Sequence, residues 1–200
     1  MKNARSSARK NSRYEIRIAG SGGQGIVLAG IMLAEAAILD GRYVAQSENY
    51  GPEARGGNSI SEVIVSDEEI DYPQAVELDV LVALTQEACV RNLPAMKEGG
   101  LVIVDSSLVR WVPWDKVARL PFQQIATNTG ERRAINMAAL GAVASLCPIV
   151  SSASLVKVMA KRLPASKVEA NRLAFNEALQ ATDKLKDSLT SLKPKDQFEI

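Results

Sequence analysis

Residues 14–25 read YEIRIAGSGGQG, a short apolar strand that stops at a glycine-rich turn. Residues 26–41, IVLAGIMLAEAAILDG, continue with small and aliphatic side chains at helical spacing, and Gly41 suits a left-handed helix end. Gly20, Gly22 and Gly25 fit the pattern G-x-G-x-x-G in its proper setting, after a strand and before a helix. There the first glycine permits the tight turn, the second lets a ligand approach the backbone, and the third lets the helix pack on the strand. This strand–turn–helix order is the opening of an α/β domain.

The pattern recurs outward from that unit. RYVAQ reads as a second strand and SISEVIVS as a third, whose direction the sequence leaves open. DVLVALT and LVIVDSS are continuous apolar runs, as for strands covered on both faces. Between them, QEACVRNLPAMKEGG reads as a helix broken at Pro94 and ended by two glycines, and QQIAT reads as a short strand. From Asn136 onward three helical stretches follow, NMAALGAVASL, SASLVKVMAKRL with Ser154 as its N-cap, and SKVEANRLAFNEALQATDKLKDSL. Together these predict a three-layer, Rossmann-like α/β domain with a mostly parallel sheet and C-terminal helices. The domain spans 14–182, between a basic leader at 1–13 and a fraying tail at 183–200 that ends in KPKDQFEI.

The totals narrow the function. The chain has 200 residues, 46% of them hydrophobic and 24% charged, which suits one soluble domain with a real core. A formal charge of +1 provides no field for nucleic acid or an anionic membrane, and the one basic run, MKNARSSARKNSR, lacks the apolar residues that would order it. No apolar run approaches the roughly 20 residues that span a bilayer. Two cysteines, Cys89 and Cys147, are too few and too far apart for a zinc site or an iron–sulfur cluster, and read as buried thiols of a cytoplasmic protein. The complete lack of histidine removes the commonest general base and metal ligand.

Two elements are left to carry chemistry. Free amides at the start of the first helix favour an anion, with Gly20, Gly22, Gly23, Gln24 and Gly25 as its cradle. A nicotinamide dinucleotide would also need an acid roughly 20 residues on, where Val44, Ala45 and Gln46 stand instead. That weakens the dinucleotide reading and leaves three for the turn: another anionic group, no ligand with strand and helix simply packed close, or a nicotinamide dinucleotide after all. The second element is SENYGPEARGGNS, residues 47–59, read as a loop leaving the second strand. Gly51-Pro52 fixes a turn, Gly56-Gly57 lets the chain leave in a backbone conformation closed to most residues, and between them Glu53 and Arg55 are presented outward. An arginine so placed takes a phosphate or carboxylate in two parallel hydrogen bonds. Asn136 either caps the helix that it opens or turns its amide to the crevice.

The segments IRIAGSGGQGIVLAG, NYGPEARGG, VIVSDEEIDYP, DVLVALTQEA, GGLVIVDSS and NMAALGA, in this order, resemble the gamma subunit of 2-oxoacid:ferredoxin oxidoreductases, nearest to the 2-oxoglutarate branch. The resemblance covers about residues 14–180. It implies a subunit of an enzyme that oxidatively decarboxylates a 2-oxoacid to an acyl-CoA and passes the electrons to ferredoxin. Thiamine diphosphate and iron–sulfur clusters are then expected on alpha, beta and delta-type partner subunits, and coenzyme A as the anion that this chain helps hold. Ser21 and the basic leader depart from the family pattern. The competing expectations are a free-standing NAD(P)-dependent oxidoreductase and a noncatalytic assembly scaffold. An isolated chain would expose a surface that a partner covers, and self-associate as a homodimer.

Overall fold

The computed structural model describes residues 13–50, 57–147 and 149–186. The basic leader, the tail beyond 186, and Glu53, Arg55 and Gly56 with their neighbours lie outside the described residues. Six strands, β1 (Arg13–Ser21), β2 (Tyr43–Tyr50), β3 (Asn58–Ser66), β4 (Leu78–Ala83), β5 (Met96–Asp105) and β6 (Val117–Leu120), form one sheet in the order β2-β3-β1-β4-β5-β6. β1, β4, β5 and β6 pair in parallel, whereas β3 runs antiparallel to both β1 and β2, so the sheet is mixed.

Helices cover both faces, as expected of three layers. On one face α1 (Ile26–Leu39), α3 (Phe122–Asn128), α4 (Ile135–Leu146), α5 (Ser152–Arg162) and α6 (Ala165–Asp183) close over Ile16, Ile18, Val63, Val80, Val82 and Ile103. The other face, with Ala19, Leu81, Ala83, Val102 and Val104, is covered by α2 (Gln86–Asn92) and the segment carrying Val109, Val112 and Trp114. Period-2 alternation explains the split in β1, and the uninterrupted apolar runs of β4 and β5 serve both faces at once. The C-terminal helices pack on the sheet, and α4 meets α6 closely enough that a Cβ at Gly141 would overlap the Phe175 carbonyl oxygen. Gly41 ends α1 as its sequence predicts: its φ is 79°, its N–H donates to Ile38 O at 3.0 Å, and the Arg42 N–H donates to Ala37 O at 3.0 Å.

Four local expectations are corrected. QQIAT lies in helix α3, because Phe122, Ile125 and Ala126 share one buried face at helical spacing and the Asp105 carboxylate accepts the Gln123 N–H at 2.7 Å. The helix beginning at Gln86 stops at Asn92, since Pro94 has no N–H to continue it; a single 3-10 turn, Leu93–Ala95, follows, and Met96 already starts β5. The two glycines that were to end that helix instead lie within β5, where Gly99 has φ 73° and the register against β4 shifts. Ser151, not Ser154, caps α5, its Oγ accepting the Ser154 N–H at 3.1 Å. The fourth concerns residues 47–59: Ser47–Tyr50 belong to β2, paired with Glu62–Ser59, and Asn58 already starts β3, so the two strands reach into both ends of a stretch that the sequence reads as loop throughout.

Candidate functional site

The candidate site lies at the C-terminal edge of the parallel strands, where β1 and β4 part to connect in opposite directions across the sheet. Open α/β sheets place ligands at such a divergence. Here the hairpin puts a second element on the same edge. Ser59 pairs with Gly20 on one side and with Tyr50 on the other, so β2 ends level with the glycine turn. The Gly22 N–H donates to Gly57 O at 3.0 Å, tying the hairpin's return strand to the turn.

The turn itself is tightly wired. Ser21 N–H donates to Gln24 Oε1 at 2.7 Å, the Gln24 N–H returns to Ser21 O at 3.2 Å, and Gln24 Nε2 reaches Leu84 O at the end of β4 at 3.4 Å. Gly20 is required by this arrangement, because a Cβ there would overlap Gln24 Oε1 and lie 2.9 Å from Ile26 Cδ1. Gly23 and Gly25 adopt φ of 90° and 71°, a region that L side chains rarely enter. Gly25 is the N-cap of α1 with no side chain to receive the amides of the first turn.

Asn136 is buried in the first turn of α4 and packs directly on that cap. Its Nδ2 donates to Gly25 O at 3.0 Å, and its Oδ1 accepts the Met137 N–H at 2.9 Å. Asn136 thus ties the first turn of α4 to the glycine turn through its own amide. The N-cap of α4 is Ala134, which makes no side-chain cap bond. Thus Gly20, Gly22, Gly23, Gln24, Gly25, Gly57 and Asn136 are brought together, while Glu53, Arg55 and Gly56 belong to the stretch outside the described residues.

A second polar cluster was not read from the sequence. On the face of β1 and β3 towards α2, Arg17 donates to Glu62 Oε1 from Nε at 2.9 Å and to Asn92 Oδ1 at 3.0 Å, and Ser47 Oγ reaches Glu62 Oε2 at 3.3 Å. Arg17, Ser47, Asn49, Ile60, Glu62 and Gln74 line a cavity of about 450 Å³. The signal available was an arginine and a glutamate each interrupting an apolar strand, but their pairing depends on β3 lying beside β1.

Other polar groups are structural. Asp105 is fully buried and accepts the N–H groups of Ser107, Leu108 and Gln123, the first and last at 2.7 Å, which ties the end of β5 to the start of α3. Burial pushes the Cys147 thiol up to about 12 against the pull of Lys116, and burial also raises Cys89. Among the described residues no group of three His, Cys, Asp or Glu side chains could hold a metal ion, and two separated thiols cannot supply the four that a cluster takes.

With this geometry in place, comparison with known proteins decides the family. The family model described as pyruvate ferredoxin/flavodoxin oxidoreductase matches residues 15–181. The chain belongs to that family. It is 41% identical over 183 residues to the 2-oxoglutarate synthase subunit KorC of Methanocaldococcus jannaschii, covering 88% of this chain and 98% of that protein. The solved keto/oxoacid ferredoxin oxidoreductase gamma subunit of Geobacter sulfurreducens is 42% identical, with a TM-score of 0.75 over 84% of this chain and 98% of that one. The 2-oxoglutarate:ferredoxin oxidoreductase of Magnetococcus marinus, solved with 2-oxoglutarate, coenzyme A and succinyl-CoA bound, matches at 27% identity and TM-score 0.76. That match covers 91% of this chain and 32% of the longer one, so in this relative the oxidoreductase fold seen here is one part of a larger polypeptide.

Proposed function

We propose that this chain, a gamma-type subunit of a 2-oxoacid:ferredoxin oxidoreductase, supplies that enzyme with an anion-accepting rim for coenzyme A. The rim consists of the first amides of α1 and the Glu53–Arg55 loop. The observation that carries this reading is the Gly22–Gly57 hydrogen bond, which holds the loop's exit against the turn at the head of α1. Arg55 is two residues before Gly57, and two residues span at most about 7 Å. That tether allows the guanidinium to share a phosphate with the α1 amides, and an arginine takes such a group in two parallel bonds. The coenzyme A in the Magnetococcus marinus relative supports this choice of anion.

Thiamine diphosphate and the iron–sulfur clusters are assigned, on the family resemblance, to alpha, beta and delta-type partners, with ferredoxin served indirectly; among the described residues no group of three His, Cys, Asp or Glu side chains could hold a metal ion. The 2-oxoglutarate synthase relatives favour 2-oxoglutarate as the substrate. Two free, buried cysteines suit a working place in a reducing cytoplasm. Among the described residues no helix is long and apolar enough to cross a membrane. Exposed Ile38, Leu39 and Tyr43 at the α1–β2 corner support self-association of the isolated chain as a homodimer. A free-standing NAD(P) enzyme is disfavoured because β3 separates β2 from β1 by roughly 10 Å, taking the end of β2 away from where a ribose would lie.

The test is the assembled complex carrying Arg55→Ala. The Michaelis constant for coenzyme A is expected to rise about tenfold or more, for loss of a bidentate contact, with that for the 2-oxoacid little changed. Unchanged constants with intact assembly would refute the rim.

A further inference from the structure

The glycine turn has the spacing of a dinucleotide site, yet its own side chain fills it. In an open turn of this type the pyrophosphate lies against the backbone, and the glycines are there to let it come close. Here the space beside Gly20 is taken by the Gln24 carboxamide, whose Oε1 accepts the Ser21 N–H at 2.7 Å. The next amide, Gly22 N–H, is held by Gly57 O at 3.0 Å. The carboxamide is further steadied by Nε2 on Leu84 O, the carbonyl that follows β4, so it bridges the gap between β1 and β4 that a ligand would enter.

We infer that Gln24 is a specificity residue that closes this turn to the pyrophosphate of free dinucleotides and nucleotides. The chemistry of exclusion is direct. An internal acceptor meets the Ser21 N–H without the translational and rotational cost that a free phosphate bears. It also occupies the volume, so an incoming pyrophosphate would lose an amide and meet a carboxamide oxygen. The first glycine of the motif consequently serves Gln24 rather than a cofactor. This inference stands apart from the coenzyme A reading, which uses the first amides of α1, beyond Ser21 and Gly22, together with Arg55.

The experiment titrates the full-length chain with pyrophosphate and, separately, with NADH, following the Ser21 and Gly22 amides by heteronuclear NMR and NADH by fluorescence. Wild type is expected to show no saturable shift of the Ser21 amide. Gln24→Ala opens the turn and is expected to tighten pyrophosphate binding at least tenfold, with the Ser21 amide moving on titration. Gln24→Met keeps the bulk without charge and is expected to bind pyrophosphate less tightly than Gln24→Ala, and unchanged far-ultraviolet circular dichroism of both variants separates loss of the plug from general damage to the fold. Wild type and Gln24→Ala binding alike, or failing to bind alike, would overturn the inference. A gain in Gln24→Ala alongside an unchanged coenzyme A constant in Arg55→Ala complexes leaves this inference standing and removes the rim; the reverse pair of results removes only this inference.

Discussion

Replacing Gly25 by alanine tests the physical core of the candidate site, because two separable penalties meet there. The first is backbone strain: at φ 71° an L side chain costs roughly 1–2 kcal/mol. The second is overlap with Asn136, whose Cγ would lie 3.0 Å from the new Cβ and whose Nδ2 would lie closer still. Overpacking of this kind costs about 1–3 kcal/mol, so the single variant is expected to lose about 2–5 kcal/mol. Asn136→Ala alone removes a buried donor to Gly25 O and leaves the Met137 N–H without its side-chain acceptor, for a loss of about 1–3 kcal/mol. In the double variant the overlap has no partner while the strain remains. The double loss should therefore fall short of the sum of the singles by about 1–3 kcal/mol. Urea unfolding followed by far-ultraviolet circular dichroism measures all four corners of the cycle, provided that the slope against urea is constant. Additivity within about 0.5 kcal/mol would refute the reasoning, since it would mean that Asn136 does not bear on Gly25.

Two further outcomes follow from groups away from the glycine turn. Burial pushes the Asp40 carboxyl up, but hydrogen bonds from Ser154 and Ser151 outweigh it and hold the group below its ordinary value. Its contribution is therefore present above the unfolded value of about 3.9 and lost as the pH falls through the folded one. The stability gap between wild type and Asp40→Asn is expected to be flat above about pH 5 and to close below about pH 4, as read by thermal unfolding across pH. A gap that widens on acidification would contradict the geometry. With Cys147 buried and its thiol pushed up to about 12, and Cys89 buried and raised as well, both thiols should react with an aromatic disulfide reagent only after denaturation. Rapid release of one equivalent from the native chain would show that a thiol is open to solvent.

Much of the fold was legible because the main chain follows local rules here. The strand–turn–helix unit at 14–41, the doubly buried strands around Leu81 and Ile103, and the left-handed end at Gly41 all express periodicity or a single backbone requirement. The misreadings arose where two local signals competed. QQIAT contains β-formers, yet the spacing of Phe122, Ile125 and Ala126 and a remote carboxylate on Asp105 made it helical. Asn136 carries both capping and crevice chemistry, and nothing local announces its 3.0 Å contact to Gly25 O, across 111 residues of chain.

The sequence by itself determined the α/β class, the strength of the glycine motif and the residues from which any site must be built. Those properties reside in spacing along the chain, where strand and helix periods and the needs of φ act locally. Only the tertiary structure decided that β3 inserts antiparallel between β1 and β2, for strand order is set by which edges find partners in space. That one pairing moves β2 away from the place of a ribose-binding strand and lays its hairpin beside the glycine turn. It also decided that Gln24 folds back into the turn, because Gly20, Ser21 and Leu84 together form a hollow that its carboxamide fills.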